Sequence, residues 1–159
     1  MRCGARIVRT ADRPDLLPVV AGWLWQEFWR RGGHTLEHVQ TVFAGSTAEV
    51  GPQQTFVLLV GDAPVGTASL VEHDLDARPD LTPWLAGVFV APDQRGRGYA
   101  AHLIAAVEDA CRAAAIPTLW LYTRNSERIY ARVGWRTVEV FDYRDRPVAL
   151  MRRDLEARV

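Results

Sequence analysis

Lysine is absent from this chain. All 19 basic residues are arginine, which excludes a Schiff-base lysine, a lysine general base and a P-loop lysine. Cysteine is almost absent too. Cys3 and Cys111 are too few for a disulfide framework or for a zinc site of the usual spacing, so no metal is expected. Cys111 lies in an apolar helical pattern and reads as core packing. An excess of either charge is missing: the formal net charge is zero, which leaves no global electrostatic case for nucleic acid. No apolar run approaches the roughly 18 residues that a membrane-spanning helix needs. The opening stretch "MRCGARIVRTADRPD" has no apolar signal core. The expectation is a soluble, cytoplasmic protein with no nucleic-acid or membrane partner.

Apolar residues make up 48% of the 159 and charged residues 24%, a globular composition. The length suits one domain, residues 1–159. "ARIVRT" (5–10) reads as a strand and 12–30 as a helix, with Pro14 in its first turn, where a missing N–H costs little. Leu17, Val20, Leu24 and Phe28 fall at helical spacing. Thr35 can cap a second helix that runs to Ala44 and ends at Gly45. "QTFVLLV" (54–60), Gly61-Asp62 and "PVGTASLVE" (64–72) make a hairpin. A polar loop (72–83) leads to "WLAGVFV" (84–90), a buried strand in which Gly87 suggests a bulge. A helix follows from about Gly98 to Ala115, with Leu103, Val107, Ala110 (or Cys111) and Ala114 on one face. "TLWLYT" (118–123) is a strand and "SERIYARV" (126–133) a short helix stopped by Gly134. Residues 135–142 and 147–155 form a closing antiparallel pair.

Between strand 84–90 and the helix after it stands Arg95-Gly96-Arg97-Gly98-Tyr99-Ala100. Glycines before a helix let several N–H groups converge, and the helix dipole adds partial positive charge. Together they suit a phosphate or pyrophosphate. A plain tight turn with solvated arginines is the simpler alternative. Gly96, Gly98 and Ala101 also fit the GxGxxA of a dinucleotide fold. That loop should follow its strand at once, yet residues 91–95 intervene, and "TLWLYT" ends in Thr123-Arg124-Asn125 rather than in a ribose-binding acid. A Walker loop fails for want of lysine.

The loop resembles the [Q/R]-x-x-G-x-[G/A] motif of the GCN5-related N-acetyltransferases. Asn125 and Tyr130 in "IYARVGW", with Gly134-Trp135, are similar to that family's later "N..A…Y…GF" segment, and the element order agrees along essentially the whole chain. The resemblance implies an α+β fold: a mostly antiparallel central sheet with a splayed parallel strand pair, flanked by helices. It implies that the amides of Arg95, Gly96, Arg97, Gly98, Tyr99 and Ala100 bind the pyrophosphate of acetyl-CoA, the co-substrate. Val88 and Val90 would pair through their main chain with the pantetheine arm, and only one of Phe89 and Val90 can point into its channel. Asn125 would hydrogen-bond that arm, while Asn125 or Ser126 is also a natural helix N-cap. Tyr130 would be the general acid that protonates or stabilises the leaving thiolate. A packed aromatic is its simpler reading.

The chain departs from the pattern at the general base. Many relatives carry a Glu on the strand equivalent to 84–90, and "WLAGVFV" has no ionisable side chain. Glu72 and His73, at the end of the preceding strand, are the nearest candidates, each able to act through a water; a neutral amine arriving from solution is a third route. Glu72, Asp74, Asp76 and Asp80 make the loop acidic, which would favour a cationic amine if they stand near the acceptor mouth, although a solvated loop is the commoner explanation for such a run. Trp23, Trp25, Phe28 and Trp29 crowd the first helix. Phe28 and Leu24 are expected to face the core, while Trp25 and Trp29 share another stripe that would pack, line an acceptor pocket or meet a second subunit. The expected activity is acetyl transfer to a primary amine of a small molecule or peptide, by a monomer or homodimer. The rival is a non-catalytic acyl-CoA-binding module.

Overall fold

The computed structural model describes residues 4–156; Cys3 lies outside them. Seven strands form one sheet in the order β1-β2-β3-β4-β5-β7-β6. They are β1 (Ala5–Arg9), β2 (Gln54–Val60), β3 (Ala63–Val71), β4 (Trp84–Val90), β5 (Thr118–Thr123), β6 (Arg136–Tyr143) and β7 (Arg146–Asp154). The helices are α1 (Leu17–Leu24), α2 (Leu36–Ala44), α3 (Tyr99–Ala113) and α4 (Glu127–Arg132). Every neighbouring pair is antiparallel except β4–β5, so the expected α+β architecture holds.

Strand β2 shows why helices cover both faces. Phe56 and Leu58 point to one side and join Leu103, Ile104, Val107 and Cys111 of α3. Val57 and Leu59 point to the other and join Val20, Ala21 and Leu24 of α1 with Val39 and Phe43 of α2. This is the period-2 alternation of a strand, here apolar on both sides. Each such side chain taken from water contributes about 1.5–3 kcal/mol. Helix α3 buries Leu103, Val107 and Cys111 in one stripe, as its spacing predicts. The Cys111 thiol is pushed up to about 12, by burial first and then by the Glu108 charge, so it stays protonated and unreactive. Thr35 caps α2 as expected, its Oγ1 accepting from the His38 amide at 3.1 Å.

The first helix departs from expectation in its second half. After α1 the backbone widens into a π-helical segment, Trp25–Trp29, and then tightens into a 3₁₀ turn, Arg30–Gly32. A π turn takes more residues per revolution than an α turn, so the inward face slips along the chain. Leu24 is fully buried as predicted, but Phe28 is 50% exposed. Trp25 and Trp29 instead turn towards the cluster under α1 and α2, where Trp29 meets Phe43 edge-on with centroids 6.2 Å apart. Placing Phe28 in the core is thus corrected, because 3.6-residue spacing does not survive the π segment.

Candidate active site

Strand β4 organises the site. Between Thr67↔Phe89 and Ser69↔Ala86 it holds one residue more than β3 does, which makes a bulge at Gly87–Val88. Gly87 has φ 61°, a left-handed conformation open to glycine. A Cβ there would also sit 3.2 Å from Leu24 Cδ2, so α1 packs directly over the bulge. On its other edge β4 pairs with β5 at one register point, Trp84↔Trp120, supported by the Trp120 amide donating to Pro83 O at 3.1 Å. Beyond that point the strands diverge. The splay is closed at Trp84 and opens towards Val90.

At the open end Ala91 N donates to Val65 O at 2.8 Å. By antiparallel alternation the Val90 N–H and C=O therefore face away from β3, into the gap. Val88 and Val90 pack with the α3 core, whereas Phe89 packs on the α1 side against Trp23, with centroids 5.4 Å apart. The loop then turns through Gly96 (φ 80°) and Gly98 (φ 81°), and Gly98 is the N-cap of α3. A Cβ at either glycine would meet nothing within 4 Å, so these positions need the left-handed backbone rather than the space. Arg95 folds back: its Nε donates to Val90 O at 2.8 Å and its guanidinium lies 5.6 Å from the Phe89 ring centre. Arg97 is exposed at the loop's rim. The loop thus offers amides at the start of a four-turn helix, next to the mouth of the gap.

Across the gap, Thr123–Ile129 line a hollow of about 270 Å³ that includes Asn125. Neither expected N-cap bond forms at α4. Ser126 stands at the N-cap position without capping; its Oγ donates to Asn125 Oδ1 at 3.2 Å. The Ser126 amide instead donates to Thr123 Oγ1 at 3.1 Å. A larger hollow, about 370 Å³, lies at the opposite end of α3 beside Arg112, Pro117 and Leu155. It is remote from the glycine loop and holds no arrangement suited to chemistry.

Tyr130 is half-buried and fixed. Its ring meets Trp135 edge-on at 6.2 Å, and its carbonyl accepts from the Trp135 amide at 3.1 Å. Trp135 is anchored in turn through its Nε1, which donates to the buried Glu108 carboxylate at 3.1 Å. Burial, followed by the charge of Asp74, pushes the Tyr130 phenol up to about 12. It therefore keeps its proton across the neutral range.

The loop after β3 closes the other end. Glu72 and His73 are both exposed, with Oε1 and Nε2 3.9 Å apart. Asp74 beside them is exposed as well, although desolvation by the surrounding protein pushes its carboxyl upward, to about 7. Asp76 is neutralised by Tyr143 Oη, donating at 2.5 Å, and by Arg144 at 3.0 Å, which hold its carboxyl low. Tyr122 on β5 meets Trp84 and Tyr143 edge-on, and burial pushes its phenol up to about 12. Sequence reading passed over Tyr122 and Tyr143. The signal available was the period-2 alternation of "TLWLYT", which puts Trp120 and Tyr122 on the face opposite Leu119 and Leu121.

A family model described as "Acetyltransferase (GNAT) family" matches residues 19–135. The chain belongs to the acetyltransferase (GNAT) family. Solved GNAT-fold structures superpose over nearly its full length. Aminoglycoside 6'-acetyltransferase type Ii gives a TM-score of 0.74 at 16% identity, over 97% of this chain and 99% of that one. A GNAT acetyltransferase from Streptococcus pneumoniae gives 0.71 at 15%, over 96% and 100%. An acyl-CoA N-acyltransferase from Pseudomonas aeruginosa gives 0.65 at 17%, over 94% and 98%. At such identities they establish the fold. No curated protein matches the sequence. GNAT proteins use acyl-CoA co-substrates. No helix among the described residues is long and apolar enough to cross a membrane.

Proposed function

We propose that this GNAT protein is an N-acetyltransferase that moves an acetyl group from acetyl-CoA to a primary amine of a small molecule or peptide by direct attack. The observation that carries the reading is the gap between β4 and β5, with the glycine loop at its open end and Tyr130 on α4, the helix that follows β5. Residues 95–100 would hold the pyrophosphate through their amides, with Val88 and Val90 along the pantetheine arm and Asn125 beside it. The Val90 N–H faces the gap, while its carbonyl is shared with Arg95. Tyr130 would serve the leaving sulfur. A phenol near 12 against a thiol near 8.5 favours hydrogen-bonding the thiolate as the C–S bond breaks, with transfer completed as that phenol regains a proton. The reading extends to a cytoplasmic enzyme acting as a monomer or homodimer.

The non-catalytic alternative, an acyl-CoA-binding module, is favoured by one observation: β4 carries no ionisable side chain. Thiol release from acetyl-CoA across a panel of primary amines separates the two. The native protein should release thiol with at least one amine, and Tyr130→Phe should lower kcat by roughly 10²–10⁴-fold with CoA affinity retained. Tight CoA binding without turnover on any amine would sink the enzymatic reading.

A further inference from the structure

We propose that Glu108 on α3 is a positioning residue for acetyl transfer: through the Trp135 indole it holds the Tyr130 phenol in place. This rests on the reading above, in which Tyr130 serves the leaving sulfur. Helix α4, which carries Tyr130, has six residues, under two turns. A helix so short depends on packing to keep a side chain still. Its C-terminus closes in the Schellman pattern. Gly134 is left-handed, with φ 99°, and its amide donates to Ala131 O at 3.2 Å. The Trp135 amide donates to Tyr130 O at 3.1 Å. The apolar contact usual in that pattern joins the same two residues, whose rings meet edge-on with centroids 6.2 Å apart. Among the described residues no hydrogen bond holds the Tyr130 hydroxyl, so ring packing aims it. Whatever fixes Trp135 therefore fixes the phenol.

Glu108 fixes Trp135. The indole has one donor, and it is given to Glu108 Oε2 at 3.1 Å. Both residues are sealed from solvent, at 3% and 6% exposure, where an unmet indole N–H would be costly. The other carboxylate oxygen, Oε1, lies 3.8 Å from Arg112 and 3.7 Å from Arg153. Arg153 Nη1 in turn donates to Gly134 O at 3.1 Å. One carboxylate thus secures the indole directly and, through Arg153, the peptide just before it.

Packing alone does not call for an acid at this position. Glu108 stands with Ile104, Val107 and Cys111 among the buried residues of α3. An apolar side chain would fill the place without the desolvation that a buried carboxylate costs. What the acid adds is direction: a charge-assisted hydrogen bond sets the rotation of the indole plane. Helix α3 is also the element that starts at Gly98, at the end of the glycine loop. It carries Glu108 about two and a half turns further along. The helix that presents the loop amides would thereby register the acid as well, aligning the pyrophosphate end of the cofactor with its sulfur end.

The test measures kcat, KM for the amine and Kd for CoA in the native protein, Glu108→Leu, Glu108→Gln and Trp135→Phe. Each substitution is repeated in the Tyr130→Phe background, and all assays run below the lowest Tm. Glu108→Leu should lower kcat about 10- to 100-fold, as a misplaced reacting group does. Amine KM and CoA affinity should change less than about threefold. Glu108→Gln keeps an oxygen for the indole N–H and should retain most of kcat. Trp135→Phe keeps a ring and loses the donor; it should fall as Glu108→Leu does, and it carries the test should that variant not fold. In the Tyr130→Phe background neither change should lower kcat further, because the group they position is gone. Equal losses in both backgrounds overturn the inference alone. So do an unchanged kcat in Glu108→Leu and Trp135→Phe, a loss confined to KM or CoA affinity, or a Glu108→Gln as slow as Glu108→Leu. Absence of thiol release by the native protein, or a Tyr130→Phe as fast as native, overturns the reading above and this inference with it.

Discussion

Asp74→Asn should stabilise the fold, and the stabilisation should depend on pH. The carboxyl moves from an ordinary 3.8 to about 7 on folding. A raised acid means that the folded state resists the charged form. Below pH 3.8 the side chain is neutral in both states and costs nothing. Between about 4 and 7 the unfolded chain ionises while the folded one holds its proton, so stability falls as pH rises; above about 7 the penalty is constant. About three units at 1.36 kcal/mol each sets an upper bound of about 4 kcal/mol. Asp74 retains accessible surface, and solvent screening reduces that to about 1–2 kcal/mol. Asparagine keeps the shape and removes the charge. Its Tm should exceed the native value by roughly 3–6 °C at pH 8, with the difference shrinking to nothing near pH 4. Urea melts of both proteins at pH 4, 6 and 8 measure this, since pH effects from the rest of the chain cancel in the difference. Equal stability at pH 8, or a difference that does not change with pH, would refute desolvation at Asp74.

Two further expectations follow from the backbone. Gly87→Ala forces a side chain into a left-handed conformation and against Leu24; it should cost about 1–3 kcal/mol and weaken CoA binding through the distorted bulge, which denaturant melts and CoA titration would register. Phe28→Ser should leave stability within about 0.5 kcal/mol, whereas Trp29→Ala should cost about 2 kcal/mol or more. The opposite ranking would mean that the π segment does not set the inward face of the first helix.

The order of elements was legible because each piece carries a local signal. Gly61-Asp62 turns the β2–β3 hairpin, Thr35 caps α2, and Gly87 marks the bulge in an otherwise apolar run. The loop before α3 was legible through its glycines, and the resemblance rested on it. The π segment was not legible, because Leu17, Val20, Leu24 and Phe28 fit an α-helix without interruption. Nothing local in Trp25–Trp29 announces the extra residue per turn; packing of Trp25 and Trp29 against α2 supplies the compensation. The different surroundings of Asp74 and Asp76 were hidden for another reason. In the sequence Asp74 is one of four acids in a polar loop, interchangeable with Asp76. Partners 67 and 68 residues further along the chain neutralise Asp76 and leave Asp74 alone, and only the folded sheet brings those partners in.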